Sequence, residues 1–116
     1  MKRLRNHMIG IDQGEVVLFS DFEDNGKMWT GNGPRQHRTP VEFAEKFRHD
    51  PSVTVHLTMW DISSDVNARA DVTAADITRD GFAIAFKTWG DTKVARVRVG
   101  WQAIGELRQS DEWDLY

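Results

Sequence analysis

The residues best able to do chemistry in this chain are its carboxylates, 18 in all. Asp61, Asp65, Asp71, Asp76, Asp80 and Asp91 lie in its second half. Paired carboxylates are the working groups of glycosidases, one as acid and the other as base or nucleophile. Such a pair needs a deep cleft, which a small sandwich builds with difficulty, so these acids read more simply as decoration on the outer faces of strands. The histidines His7, His37, His49 and His56 show no HExxH or other ligand spacing. His56 falls mid-strand on the side opposite the core, and His37 and His49 sit near loops as solvated groups. Ser20, Ser52, Ser63, Ser64 and Ser110 occupy no G-x-S-x-G context. There is no phosphate-binding glycine loop. The sequence therefore predicts no catalytic residue, no metal site, no cofactor and no enzymatic activity.

Composition narrows the partners. The 116 residues fit one domain. A hydrophobic share of 40% and a charged share of 28% describe an ordinary globule with a real core. The net charge of −3 argues against nucleic acid as a partner, because phosphate binding wants a basic face. No apolar run approaches the ~20 residues of a membrane span, so no membrane insertion is expected. With Cys 0, disulfides, thiolate metal sites and thiol nucleophiles are excluded. The N-terminus MKRLRNHMIGIDQGE is basic without an apolar h-region, so no Sec signal is read there. Cytosol, a matured chain, or a particle released by lysis all stay open as locations.

The elements that must position any site read as short alternating strands broken by turns. Val16–Phe22 is the first, followed by an Asn25-Gly26 turn suited to positive φ. Met28–Gly33 reads as a glycine-rich loop. Thr39–Phe47 follows, with Pro40 at a strand start or sheet edge. Ser52–Ile62 places Val53, Val55, Leu57 and Met59 on one side and Thr54, His56, Thr58 and Trp60 on the other. Arg69–Thr78 and Phe82–Trp89 flank an Asp80-Gly81 hairpin turn, with Phe82, Ile84 and Phe86 inward. Gly90-Asp91-Thr92 is the next turn. Val94–Ile104 sets Ala95, Val97, Val99, Trp101 and Ala103 against Arg96, Arg98 and Gln102. The fold class is thus all-β, a six-stranded antiparallel β-sandwich over residues 16–108, with an N-terminal extension (1–15) and an acidic C-terminal tail (109–116). Trp113 in that tail reads as a candidate to dock on a neighbouring subunit.

Three segments carry a resemblance. They are VTVHLTMWDI (Val53–Ile62) after Pro51, NARADVTAADITRDGFAI (Asn67–Ile84), and TWGDTKV (Thr88–Val94) closed by VRVGWQAIG (Val97–Gly105). Upstream, Trp29–Arg35 and Val41–Phe43 follow the same pattern. The chain resembles the H-type lectin domain, the family of the snail agglutinins and of the C-terminal domain of discoidins. The resemblance implies a sandwich that trimerises at a threefold axis. It also implies N-acetylgalactosamine or galactose, held without metal in shallow clefts between subunits. A trimer or a hexamer of two stacked trimers is the expected assembly.

Carried over residue by residue, the sugar site falls on Arg69, on Trp89, Gly90 and Asp91, and on Asn32 of a neighbouring subunit, flanked by Gly31 and Gly33. The types suit the chemistry. A guanidinium offers fixed donors to vicinal hydroxyls. Asp91 and Asn32 accept hydrogen bonds, the indole gives the C–H face of a sugar an apolar platform, and glycines admit close backbone approach. Two positions depart from the snail proteins: Gly90 stands where they carry a histidine packed on the acetamide, and Asn32 where they carry an aspartate. Other roles stand beside these. Arg69 also suits an ion pair with Asp71 or Asp76, Trp89 a core or trimer contact, Asp91 a turn former, and Arg96 and Arg98 surface ion pairs. A trimeric structural or adhesion part of a phage-like tail, or of another cell-surface-binding assembly, is the alternative to a lectin.

Overall fold

Alternating apolar positions in strand after strand leave each strand with one face to hide, and two sheets packed face to face hide them all. A computed structural model, describing residues 1–5 and 7–108, has this arrangement. The strands are β1 (Ile9–Phe19), β2 (Arg35–Glu42), β3 (Ser52–Ile62), β4 (Asp71–Ala75), β5 (Gly81–Thr88) and β6 (Val94–Glu106), with short helices α1 (Asp21–Asp24) and α2 (Lys27–Thr30) between the first two. One sheet has the order β1-β6-β3 and the other β2-β5-β4, with every pairing antiparallel. The expected tail, Trp113 and Ser110 included, lies outside the described residues.

The core lies between the sheets. Ile84, Phe86, Val97, Val99 and Ala103 are fully buried, on the faces their alternation assigns to the interior. Aromatic rings fill one end, where Phe82 meets the Trp101 ring edge-on at 5.5 Å and Phe43 meets Phe47 edge-on at 5.0 Å. Aromatic pairs prefer this geometry because ring edges are positive and faces negative.

Several local expectations are corrected. The first strand begins at Ile9, and Ile9–Glu15 pair with β6 as fully as the residues after them. It ends at Phe19, where Asp21–Asp24 turn helical and Asn25 closes the turn at φ 53. Met28, expected in a loop, is the buried residue of α2. The alternation along β3 breaks at a register shift between Leu57 and Met59, which sets Met59 opposite Arg98 and Trp60 opposite Val97. His37 is not a solvated loop residue; it lies in β2 with its ring 5.3 Å from Phe19. Pro40 fits where expected, because β2 is an edge strand that can do without one ladder N–H.

β5 and β6 are the central strands of the two sheets, so the Trp89–Lys93 connection joins the middle of one layer to the middle of the other.

Candidate functional site

That connection is a corner built by its own side chains. Gly90 sits at φ +68, the left-handed region that glycine enters without strain. Thr88 and Thr92 flank the corner, both buried. The Thr88 hydroxyl donates to the Arg69 carbonyl at 2.6 Å, and the Thr92 hydroxyl donates to the Asn67 carbonyl at 2.5 Å. These two bonds strap the 67–69 segment onto the corner, which presents the Arg69 side chain.

Arg69 Nη1 donates to Asp91 Oδ1 at 2.5 Å and reaches Thr92 Oγ1 at 3.5 Å. The guanidinium lies over Gly90, where a Cβ would sit 3.1 Å from Nη1 and 3.2 Å from Cζ. A side chain at position 90 would therefore meet both a strained φ and the guanidinium. The hydrogen bond from Arg69 holds the Asp91 carboxyl below its ordinary value of 3.8, against a smaller opposing effect of desolvation. Arg69 is thus neither the Asp71 partner nor the Asp76 partner; Asp76 pairs with Arg38 instead. Trp89 is 45% exposed, so in the single chain it is not a core residue.

The loop bearing Asn32 reaches the same corner within one chain. Gly33, at φ +72, donates its N–H to the Gly90 carbonyl at 2.9 Å. Gly31 serves the turn: its N–H closes α2 on the Lys27 carbonyl, and a Cβ there would lie 2.5 Å from that oxygen. Asn32 is exposed and makes no side-chain hydrogen bond among the described residues.

Sequence reasoning missed the residue that holds this arrangement together. Arg35 is only 8% exposed, and its donors all go to main-chain carbonyls. Nε donates to Gly33 at 2.9 Å, Nη1 to Met28 at 3.1 Å and Lys27 at 3.3 Å, and Nη2 to Thr92 at 2.8 Å and Gly90 at 3.3 Å. One planar fork thus ties α2, the 31–33 loop and the Trp corner together. Burial pulls its pKa down from the ordinary value, though a guanidinium remains cationic in proteins. The signal available in the sequence was an arginine directly after G-N-G-P, at a position that turns inward.

Several of the other acids are engaged by cations. Asp61 pairs with Arg96 at 3.3 Å and Asp80 with Lys46 at 3.9 Å, and the latter pair lies beside the Asp80-Gly81 turn, away from the Trp corner. Arg98 takes Glu15 at 3.7 Å. No group of three potential metal ligands occurs among the described residues, and no helix there is long and apolar enough to cross a membrane.

The corner thus offers cationic donors, a carboxylate acceptor and an exposed indole side by side, a set suited to a polyhydroxylated ligand. A family model described as the H-type lectin domain matches residues 38–104, which run from within β2 into β6 and include both partners of the Arg69–Asp91 pair. The chain belongs to the H-type lectin domain family. Membership supports a carbohydrate-binding module, in a family whose members bind rather than transform. A Fuscovulum blasticum protein named ATP synthase subunits region ORF 7 is 53% identical over 107 residues, covering 92% of this chain and 93% of that protein. One of the discoidin-1 polypeptides of Dictyostelium discoideum is 33% identical over 81 residues, covering 69% of this chain and 32% of that protein. Recombinant discoidin II of the same organism superposes with a TM-score of 0.75 at 24% identity, covering 94% of this chain and 40% of the other. The H-type lectin domain here therefore spans less than half of either discoidin chain.

Proposed function

We propose that this chain is a non-catalytic lectin module that takes a galactose- or N-acetylgalactosamine-type sugar at the Arg69–Trp89–Gly90–Asp91 corner. The observation that carries the reading is the 2.5 Å Arg69–Asp91 pair beside an exposed Trp89. Nε and Nη2 of Arg69 have no protein partner among the described residues and stay available to sugar hydroxyls. Gly90 presents no side chain to an acetamide, so galactose and N-acetylgalactosamine bind with similar strength. Asn32, flanked by Gly31 and Gly33, is the acceptor that a neighbouring subunit brings to this corner. The engagement of Asp61, Asp76, Asp80 and Asp91 by cations supports binding over hydrolysis.

Assembly as a homotrimer, or as two stacked trimers, belongs to the same proposal. Its support is the outer face of β1, where exposed Ile9, Ile11 and Val17 share the face with the polar Gln13 and Glu15, a mixed face of the kind found at the rims of protein contacts. Linked shallow sites raise avidity by ~10²–10⁴ over one site.

A glycan array followed by calorimetry tests the sugar, and light scattering tests the mass. Arg69→Ala and Asp91→Ala are each expected to weaken binding at least tenfold, the loss of one charge-assisted hydrogen bond being worth ~1.5–3 kcal/mol. A trimeric sample that binds no sugar on the array selects the structural alternative instead.

A further inference from the structure

Beside the corner runs a depression of about 410 Å³, lined by Pro34, Arg35, Gln36, Lys87, Thr88 and Trp89. Its size lies within the range of small-molecule sites. It sits where β2 meets β5, with Arg35 opposite Thr88 and Gln36 opposite Lys87 in register. Trp89 and Arg35 belong to both the groove and the corner, so a chain of sugars leaving the corner over the indole enters this groove next.

The charge of the groove is one-sided. Its lining contains no carboxylate. Lys87 is exposed and has no ion-pair partner among the described residues, although Asp71 is its register neighbour across β4. The nearby Arg38 is already taken by Asp76, and the Arg35 guanidinium is spent on main-chain carbonyls. Lys87 is therefore the one uncommitted cation of the groove, beside the amide of Gln36. The larger depression at the other end of β5 has the opposite character, with Glu42, Asp76 and Asp80 in its wall.

Resting on the lectin reading above, we infer that this groove is a second saccharide subsite for an anionic sugar unit, whose carboxylate or sulfate is met by Lys87. The corner holds the terminal neutral sugar and Trp89 separates the two units. Gln36 hydrogen-bonds hydroxyls of the second unit.

Calorimetry on the intact chain tests this with four probes: the methyl glycoside of the neutral sugar that binds the corner, a set of linkage isomers extending it by a uronic acid, the same set extended by neutral glucose, and a sulfated set. The uronic acid extension is expected to bind about fivefold tighter than the glucose extension, as an exposed ion pair allows. That advantage shrinks when salt is raised from about 0.05 M to about 0.5 M. Lys87→Gln abolishes it and leaves the methyl glycoside unaffected. A gain confined to the sulfated set, and lost in Lys87→Gln, keeps the subsite and assigns the anion to sulfate. Methyl glycoside binding with no gain from either anion overturns the subsite alone. An unchanged gain in Lys87→Gln also overturns it. Failure of every saccharide to bind overturns both this inference and the lectin reading.

Discussion

Replacing Arg35 with methionine keeps a side chain of similar length and removes the whole fork. Five carbonyl contacts go at once, but their losses are unequal. The Lys27 and Gly90 carbonyls keep a second donor, Gly31 N–H and Gly33 N–H. The Met28, Thr92 and Gly33 carbonyls have no second donor among the described residues, and the bonds to Met28 and Thr92 are buried. An acceptor stripped of its partner inside a protein costs ~1–3 kcal/mol. Two such acceptors, relieved in part by water reaching the third, give an expected loss of about 3 kcal/mol. For a domain holding ~5–15 kcal/mol that is a large fraction, and it lowers the melting temperature by roughly 10–15 °C. Calorimetric or circular-dichroism melts measure it directly. Sugar binding should fall as well, since the loop and the corner lose their common tie. An Arg35→Met protein that melts within about 2 °C of the parent would refute the reasoning, because no arrangement with buried orphaned carbonyls is that cheap.

Gly90→Ala should destabilise by about 1 kcal/mol, the usual cost of a side chain in the left-handed region, and should weaken sugar binding by displacing the guanidinium that lies 3.1 Å from the new Cβ. Denaturant melts and calorimetry on the same sample check both. Carbon-detected NMR of Asp91 should show a midpoint below 3.8 in the folded chain. The folded state then binds fewer protons than the unfolded state, so the Arg69–Asp91 contribution is complete above pH 3.8 and is lost as the pH falls through the lower folded value. A midpoint above 3.8 would contradict the pair. Sugar binding at about pH 5 and at about pH 7 should be equal on this account.

What the sequence made legible was what local pattern encodes. Phe82, Ile84 and Phe86 alternate cleanly, and so do Val97, Val99 and Trp101, and both sets are buried as their period requires. The start of β1 was hidden because Ile9-Gly10-Ile11-Asp12-Gln13-Gly14-Glu15 holds only two large apolar residues. Its strand state comes from β6, with which it pairs from Ile9↔Glu106 onward. The Leu57/Met59 register shift is likewise a property of two strands together, invisible in either alone. At the site, TWGDTKV marked the corner, but the partner of Arg69 did not follow from nearness in the chain. Asp71 and Asp76 are closer in sequence, and Asp91 wins because the Thr88 and Thr92 hydroxyls bring the 67–69 segment to it. Arg35 looked like an ordinary strand-end arginine. Only the converging carbonyls of three segments show why a cation is kept there.

Because the tryptophan corner leaves the middle strand of one layer and enters the middle strand of the other, tension drawn through a glycan held as proposed would not fall on a peripheral flap. It is divided between two hydrogen-bonded ladders, each braced on both flanks. Detaching such a ligand by pulling should break the sugar contacts long before it opens the domain, a property suited to a grip that must survive shear.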